Sequence, residues 1–390
     1  MKKDVNISKD IIYIGADDKD LDLFESQYIV PNGMAYNSYL IKDEKVVVMD
    51  TIDKRKSEEW LENLENALDG RTPDYLVVSH MEPDHAYNIG VLAKKYRNMK
   101  IVGNVKTFDF INQFFNIPNL EERKVVVKEG DELNIGNHTL QFFMAPMVHW
   151  PEVMFTYEKN EKILFSADAF GKFGSLDADE DWACEARRYY FNIVGKYGMQ
   201  VQTVLKKLVG IEVKTICPLH GPILKENLEY YINKYDIWSS YKPEDDGVFI
   251  AYASIHGNTE EAAHKMKKIL EEKGAKKVAI ADLSRDDFAE AIEDAFRYDK
   301  IILAASSYNM GVFPPMENFL RMLASKNYQN RKIGLIENGT WAPSSGKCMK
   351  EIIEKMKDIK LCENMVTIKS RLNEESEKKL YELADEILKV

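Results

Sequence analysis

A chain of 390 residues, 45% hydrophobic and 30% charged, has the composition of a globular protein of two domains with ordinary cores. Its 53 Lys+Arg against 64 Asp+Glu leave a net charge of -11, which excludes a general nucleic-acid binder, since phosphate contacts need a basic face. No apolar run approaches the roughly 20 residues of a membrane helix, and the charged start MKKDVNISKD lacks the apolar core of a signal peptide. Cys184, Cys217, Cys348 and Cys362 form no C-x-x-C pair, so neither a disulfide framework nor a zinc ribbon is expected, and a cytoplasmic location with no membrane association is.

In chain order, YNSYLIKDEKVVVMDT from Tyr36 reads as two strands around the turn Lys42-Asp43-Glu44. YLVVS (75–79), bounded by Pro73, reads as a buried strand, and KILFSAD (162–168) and KTICPLH (214–220) are apolar runs ending on polar residues. The segment YYFNIVGKYGMQVQTVLKKL (189–208) has the three- and four-residue spacing of a helix. YKPEDDG (241–247) reads as a surface linker, giving expected domains 1–245 and 246–390. Beyond it the strands VFIAYAS, KVAIADL, KIILAASS, KIGLIEN and MVTIKS alternate with charged segments of helical period, the pattern of an open, doubly wound parallel sheet of flavodoxin type.

Seven histidines occur, and two fall in His80-Met81-Glu82-Pro83-Asp84-His85, directly after the strand 75–79. If that segment stays extended, residues 80, 82 and 84 project to one side, with His80 and Glu82 available to one metal and Asp84 and His85 leaning toward a second. His149 (in MAPMVHW), Asp168 and His220 stand at further strand ends, where α/β architectures build sites. His138 and His264 read as structural. Grouping so many ionisable residues is costly without a cation. Four imidazoles and three carboxylates, with no thiolate, suit iron or manganese better than zinc.

In the second half, Ser254, Ile255, His256, Gly257, Asn258 and Thr259 leave a strand and enter a helix, the arrangement that wraps a phosphate at a helix N-terminus. No Walker lysine and no G-x-G-x-x-G is present, which disfavours ATP and dinucleotides. Two later strand ends, Ser306-Ser307-Tyr308-Asn309-Met310-Gly311 and Asn338-Gly339-Thr340-Trp341, should emerge at the same sheet edge and border a flavin ring.

The H-x-E-x-D-H run resembles the first motif of the metallo-β-lactamase superfamily, H-x-H-x-D-H, with Glu82 at its second histidine. The three later loops resemble those of FMN-binding flavodoxins. In this order the two halves resemble the flavodiiron proteins (A-type flavoproteins). The fold this implies is an N-terminal metallo-β-lactamase-like αββα sandwich plus a C-terminal flavodoxin-like doubly wound parallel sheet. The resemblance implies FMN and two Fe ions: His80, Glu82, His149 and Asp168 hold one, and Asp84, His85, His220 and bridging Asp168 the other, with an oxo or hydroxo bridge. It further implies reduction of O2 to water and/or NO to N2O, an external donor such as rubredoxin or a deazaflavin, and a head-to-tail homodimer or dimer of dimers.

Two departures stand out. Phe173 occupies the place of an imidazole in the D-A-F-G-x-H run, and NGTWAPSSG differs from the common G-S-Y-G-W form. Tyr189 and Tyr190 could reach the metal pocket, but an aromatic pair on a helix is more often core. The competing expectation is a zinc hydrolase with a regulatory flavodoxin domain. Glu82 and the absence of thiolates speak against it.

Overall fold

The computed structural model describes residue 5 and residues 7–389; the charged residues 1–4 of the N-terminal segment lie outside them. The chain divides into two compact units, Met1–Tyr190 with Met199–Asp236, and Phe191–Gly198 with Ile237–Val390.

Beside two small two-stranded sheets, which pair Ala16–Asp18 with Met34–Tyr36 and Leu23–Phe24 with Tyr28–Ile29, the first unit contains two main sheets. One runs in spatial order β1 (Ile11–Tyr13), β2 (Tyr39–Lys42), β3 (Val46–Met49), β4 (Tyr75–Val77), β5 (Lys100–Gly103) and β6 (Lys124–Val126). The other runs β7 (Glu132–Asn134), β8 (Thr139–Met144), β9 (Met154–Glu158), β10 (Ile163–Phe165) and β11 (Thr215–Cys217). Period-two alternation sends Tyr39, Ile41, Val47 and Met49 from the first sheet, and Leu140, Phe142, Ile163 and Phe165 from the second, into one core. The helix Ser57–Leu68 buries Trp60, Leu64 and Leu68, four residues apart along one face. This is the αββα sandwich. β4 and β5 lie parallel to β3, and β11 lies parallel to β10. Each of the loops after β4, β10 and β11 carries part of the donor cluster described below.

The second unit is built on one sheet whose long strands run parallel. Its strands are β12 (Asp245–Ala253), β13 (Val278–Asp282), β14 (Tyr298–Tyr308), β15 (Arg331–Asn338), β16 (Ile359–Leu361) and β17 (Val366–Ile368). The spatial order β13-β12-β14-β15-β16, with β17 also beside β15, is the 2-1-3-4-5 order of flavodoxins. Ile250, Ile302 and Ile336 from three strands meet Met266, Ile269, Leu380 and Leu383 from the helices on one face.

Three local expectations differ from the structure. The single helix expected over 189–208 is instead the end of an α-helix (Trp182–Tyr189), a π-turn (Tyr190–Val194), a 3-10 turn (Gly195–Tyr197) and a second α-helix (Gly198–Lys207). Gly195 and Gly198 weaken helical continuity there, and a Cβ on Gly198 would stand 2.4 Å from the Ser239 carbonyl oxygen. The expected linker also opens β12: Asp245 pairs with Lys277 and Arg297, and Asp246 with Lys276 and Lys300, so those acids are strand ends tied by ion pairs. Finally, 306–311 is not a simple loop. β14 continues to Tyr308, and Gly311–Val312 folds back on it through positive φ at Asn309 and Met310.

Candidate metal centre and flavin loops

The motif after β4 is not extended throughout. Glu82 keeps an extended backbone (φ -60°, ψ 139°), as a residue before proline should, and Pro83 opens the helical turn Pro83–Ala86. That turn rotates Asp84 and His85 away from His80 and Glu82. The expected extension through residue 84 is thereby corrected, and the change of conformation at Pro83 is what separates the two pairs.

His80, Glu82, His149 and Asp168 converge as one set of donors, and Asp84, His85 and His220 as another. In the first, His149 Nε2 lies 2.9 Å from Glu82 Oε2 and 3.0 Å from Asp168 Oδ2, and His80 Nε2 lies 3.3 Å from each of these oxygens. In the second, Asp84 Oδ2 is 3.2 Å from both His85 Nε2 and His220 Nε2. Asp168 joins them: its Oδ1 is 3.2 Å from His85 Nε2 while its Oδ2 faces the first set.

The donor set fits cations. Donors bound at about 2.1 Å and at right angles stand about 3.0 Å apart, close to the separations here. Among the described residues, both oxygens of Asp84 and both of Asp168 are buried without a hydrogen-bond partner, a costly state that a metal ion removes. The imidazoles point the same way. His220 Nδ1 lies 2.8 Å from the Ala35 carbonyl oxygen and His80 Nδ1 2.8 Å from Glu152 Oε1, so each ring donates there and turns the Nε2 lone pair inward. Across each set two Nε2 atoms then face one another, 3.0 Å apart for His85 and His220 and 3.3 Å for His80 and His149.

Neighbouring charges shift these groups strongly. Burial disfavours ionised Asp168, yet the imidazoles of His80, His149 and His85 hold it well below the usual carboxylate range. Burial likewise opposes a charged His149, but Asp168 and Glu82 push it up to about 9. A raised folded value means that the proton on His149 stabilises the metal-free chain below its ordinary value and that this contribution is lost as pH rises through about 9. At pH 7 a metal must therefore displace that proton. Metal uptake is expected to release it and to tighten with pH, levelling off above about 9. Calorimetric titration of metal-free protein in buffers of different ionisation enthalpy checks this; uptake without proton release at pH 7 refutes it.

Two supporting carboxylates were not marked by the sequence. Glu152 Oε1 accepts from Met81 N–H at 2.8 Å as well as facing His80, and Asp50 Oδ1 accepts from Ser79 N–H at 2.6 Å and His80 N–H at 3.3 Å. Both are fully or nearly fully buried, and burial pushes Asp50 up to about 6. Non-glycine residues hold positive φ beside the donors, at Asp50 (54°), Met147 (65°), Ala167 (48°) and Phe170 (67°), a concentration of strain typical of functional sites.

Aromatic rings flank the second set. Phe24, Tyr36 and Tyr189 stand 5.5, 5.7 and 5.6 Å from the His220 ring. Phe173 lies against Phe24, Tyr28 and Tyr189, with the Arg188 guanidinium 4.8 Å over its face. Phe173 is thus packed into an aromatic wall and itself has no proton to give. Tyr189 reaches the pocket, whereas Tyr190 lies against Tyr235. His138 is absent from both sets, and the His264 ring lies 5.8 Å from that of Tyr252.

In the second unit, Gly257 (φ 91°) turns the chain into the helix Asn258–Glu272, and its N–H donates to Ser254 Oγ at 3.0 Å. Thr259 Oγ1 is 2.9 Å from Ser306 Oγ, which brings the first two loops together. Ser307 and Asn338 are engaged internally: Ser307 Oγ accepts from Ser344 and Ser345 N–H, and the Asn338 side chain bonds both ways with the Ser370 backbone. Ile255, Tyr308, Met310 and Trp341 are exposed apolar residues, Trp341 at 89%. With the first-turn N–H groups of Asn258 and Thr259 lacking helical acceptors, the loops offer a phosphate cradle beside ring-sized apolar surface. That fits FMN.

Family models match both units: the ODP family beta lactamase over residues 34–221 and a flavodoxin domain over residues 249–375. An uncharacterized protein of Methanocaldococcus jannaschii is 30% identical over 97% of this chain and 96% of its own length. The anaerobic nitric oxide reductase flavorubredoxin of Aliivibrio fischeri is 30% identical over 86% of this chain and 70% of its own. Among solved structures, the rubredoxin oxygen:oxidoreductase of Desulfovibrio gigas superposes with a TM-score of 0.90 at 26% identity, covering 98% of this chain and 97% of that one. Fold and site thus define a metallo-β-lactamase-like sandwich with paired buried donor sets, fused to a flavodoxin. The chain belongs to the flavodiiron protein family.

Proposed function

We propose that this chain is a flavodiiron oxidoreductase that reduces O2 to water and/or NO to N2O, using electrons relayed by FMN from an external donor. The observation that carries this reading is the pair of buried donor sets sharing Asp168, on one chain with a flavodoxin sheet. The similar proteins named above are an oxygen reductase and a nitric oxide reductase. The cofactors are FMN and a di-iron centre.

His80, Glu82, His149 and Asp168 hold one iron, and Asp84, His85, His220 and Asp168 the other. FMN is held by the loops 254–259, 306–311 and 338–341. When bound, the flavin supplies electrons singly and the irons supply the redox chemistry on the gas. The chain's own residues do the rest. Glu152 and Ala35 fix the imidazole tautomers, Asp50 holds the loop that carries His80, and the aromatic wall at Phe24, Phe173 and Tyr189 keeps an apolar approach to His220. Seven N and O ligands without a thiolate favour iron over zinc, which cannot cycle between oxidation states.

The functional domains are taken as 1–245 and 246–390, a boundary at the first residue of β12, whereas the compact units change over at 236/237 and place 191–198 in the second. The donor is of the rubredoxin type. The location is cytoplasmic, and among the described residues no helix is long and apolar enough to cross a membrane. The active form is a head-to-tail homodimer; sedimentation of the active protein as a monomer alone would remove that assignment. Elemental and flavin analysis of anaerobically purified protein tests the function. About two irons and one FMN per chain, with consumption of O2 or NO from reduced rubredoxin, is the expected result. Zinc in place of iron, with no gas consumed after iron reconstitution, overturns it.

A further inference from the structure

A second group of metal-ligand side chains lies in the first unit outside the paired centre. His138 sits in the turn between β7 and β8, Glu158 ends β9, Glu161 lies in the turn before β10, and Asp10 immediately precedes β1. The His138 side chain is only 2% exposed, yet among the described residues its Nδ1 makes no directed hydrogen bond. Nδ1 is 2.9 Å from Glu158 Oε1 but out of line with it, and Nε2 is 3.8 Å from Asp10 Oδ2 and 3.9 Å from Glu161 Oε1. A buried imidazole left in this state is unusual.

Charge adds to the case. Among the described residues, Asp10, Glu158 and Glu161 have no Lys or Arg partner, and His138 is the only basic group facing all three. Glu158 is fully buried and fixed, its two oxygens accepting from Asn160 N–H at 2.8 Å and Glu161 N–H at 2.6 Å. It stands on the Nδ1 side of the ring, and Nε2 is turned toward Asp10 and Glu161. Such a carboxylate behind an imidazole is how metal-binding histidines are oriented. Ser8 Oγ–H donates to Glu161 Oε1 at 2.9 Å and steadies the third donor.

We propose that Asp10, His138 and Glu161 form a separate divalent-cation site of the zinc class. The donor atoms of the three residues lie within 4.8 Å of one another. A nitrogen and an oxygen 3.8–3.9 Å apart subtend an angle of about 130–136° at a cation bound at about 2.1 Å. The Asp10 and Glu161 side chains are 47% and 28% exposed, so they can close toward tetrahedral geometry and leave a position for water. One ion there ties the segment before β1 to the turns preceding β8 and β10. Its role is structural: it fastens the outer strand β1 of the first sheet to the second sheet.

The test uses iron- and flavin-loaded protein dialysed against micromolar Zn2+, with zinc and iron measured together. The wild type should bind about one zinc per chain more than the Asp10→Asn/Glu161→Gln variant, whose exposed substitutions leave the fold, the iron content and gas consumption unchanged. His138→Ala should lose the same ion. The site should bind zinc about 100-fold more weakly when both carboxylates are replaced. Equal zinc binding by wild type and the double variant overturns the proposal. Because the readout is a difference between variants, it stands whichever metal fills the paired centre.

Discussion

Asp168→Ala should empty both halves of the metal centre, because one carboxylate serves both donor sets. Its Oδ2 stands 3.0 Å from His149 Nε2 and its Oδ1 3.2 Å from His85 Nε2. Removing it also strips the anion that offsets three buried imidazoles, so His80, His85 and His149 are left repelling one another or unprotonated. Metal content should drop from about two ions per chain to fewer than about one, and gas consumption should fall at least about 1000-fold, or about 4 kcal/mol in barrier. The flavin absorbance should be unchanged, since the substitution lies in the other unit. A variant that keeps two irons and turns over at the wild-type rate would falsify the bridging role of Asp168.

The second large effect is expected at Glu152, which touches no cation. Its Oε1 faces His80 Nδ1 and accepts from Met81 N–H, so it sets both the tautomer of the first ligand and the path of the backbone beside it. Glu152→Gln keeps an acceptor in place but loses the charge that makes His80 a better donor. Glu152→Ala loses both. Metal affinity should fall about 10-fold in the first and about 100-fold in the second, or about 1.4 and 2.7 kcal/mol. Chelator competition measures this directly. Equal losses in the two variants would mean that Glu152 only fills space.

Glu152 also shows where sequence reading stops. Nothing in HWPEV marks its acid as a partner of a histidine 72 residues earlier, and Asp50, at the end of VVVMD, is equally unmarked. Both act through tertiary contacts that no local spacing encodes. Pro83 is the opposite case. The residue before a proline is extended and proline favours the first helical position, so the change of direction between Glu82 and Asp84 could have been read from the letters alone.

Local chemistry determined a great deal. Alternating apolar residues defined the strands of both units, regular strand–helix alternation defined the parallel sheet, and H-x-E-x-D-H with three later strand-end residues gave the donor types. These are short-range properties: side-chain period, turn chemistry and ligand hardness are all carried by neighbouring residues. The H-x-E-x-D-H run and the family resemblance already anticipate the division of the donors; tertiary structure decided the contacts that realise it. Asp168 stands between the two donor sets because the loop after β10 meets those after β4 and β11, and Phe173 joins an aromatic wall because Phe24, from a hairpin some 150 residues earlier, comes to lie 5.8 Å from it. It also left His138, an ordinary turn histidine in the sequence, buried among three carboxylates from distant segments. Such juxtapositions depend on which sheet faces which, and that is settled by burying the two apolar faces against each other, not by any one segment.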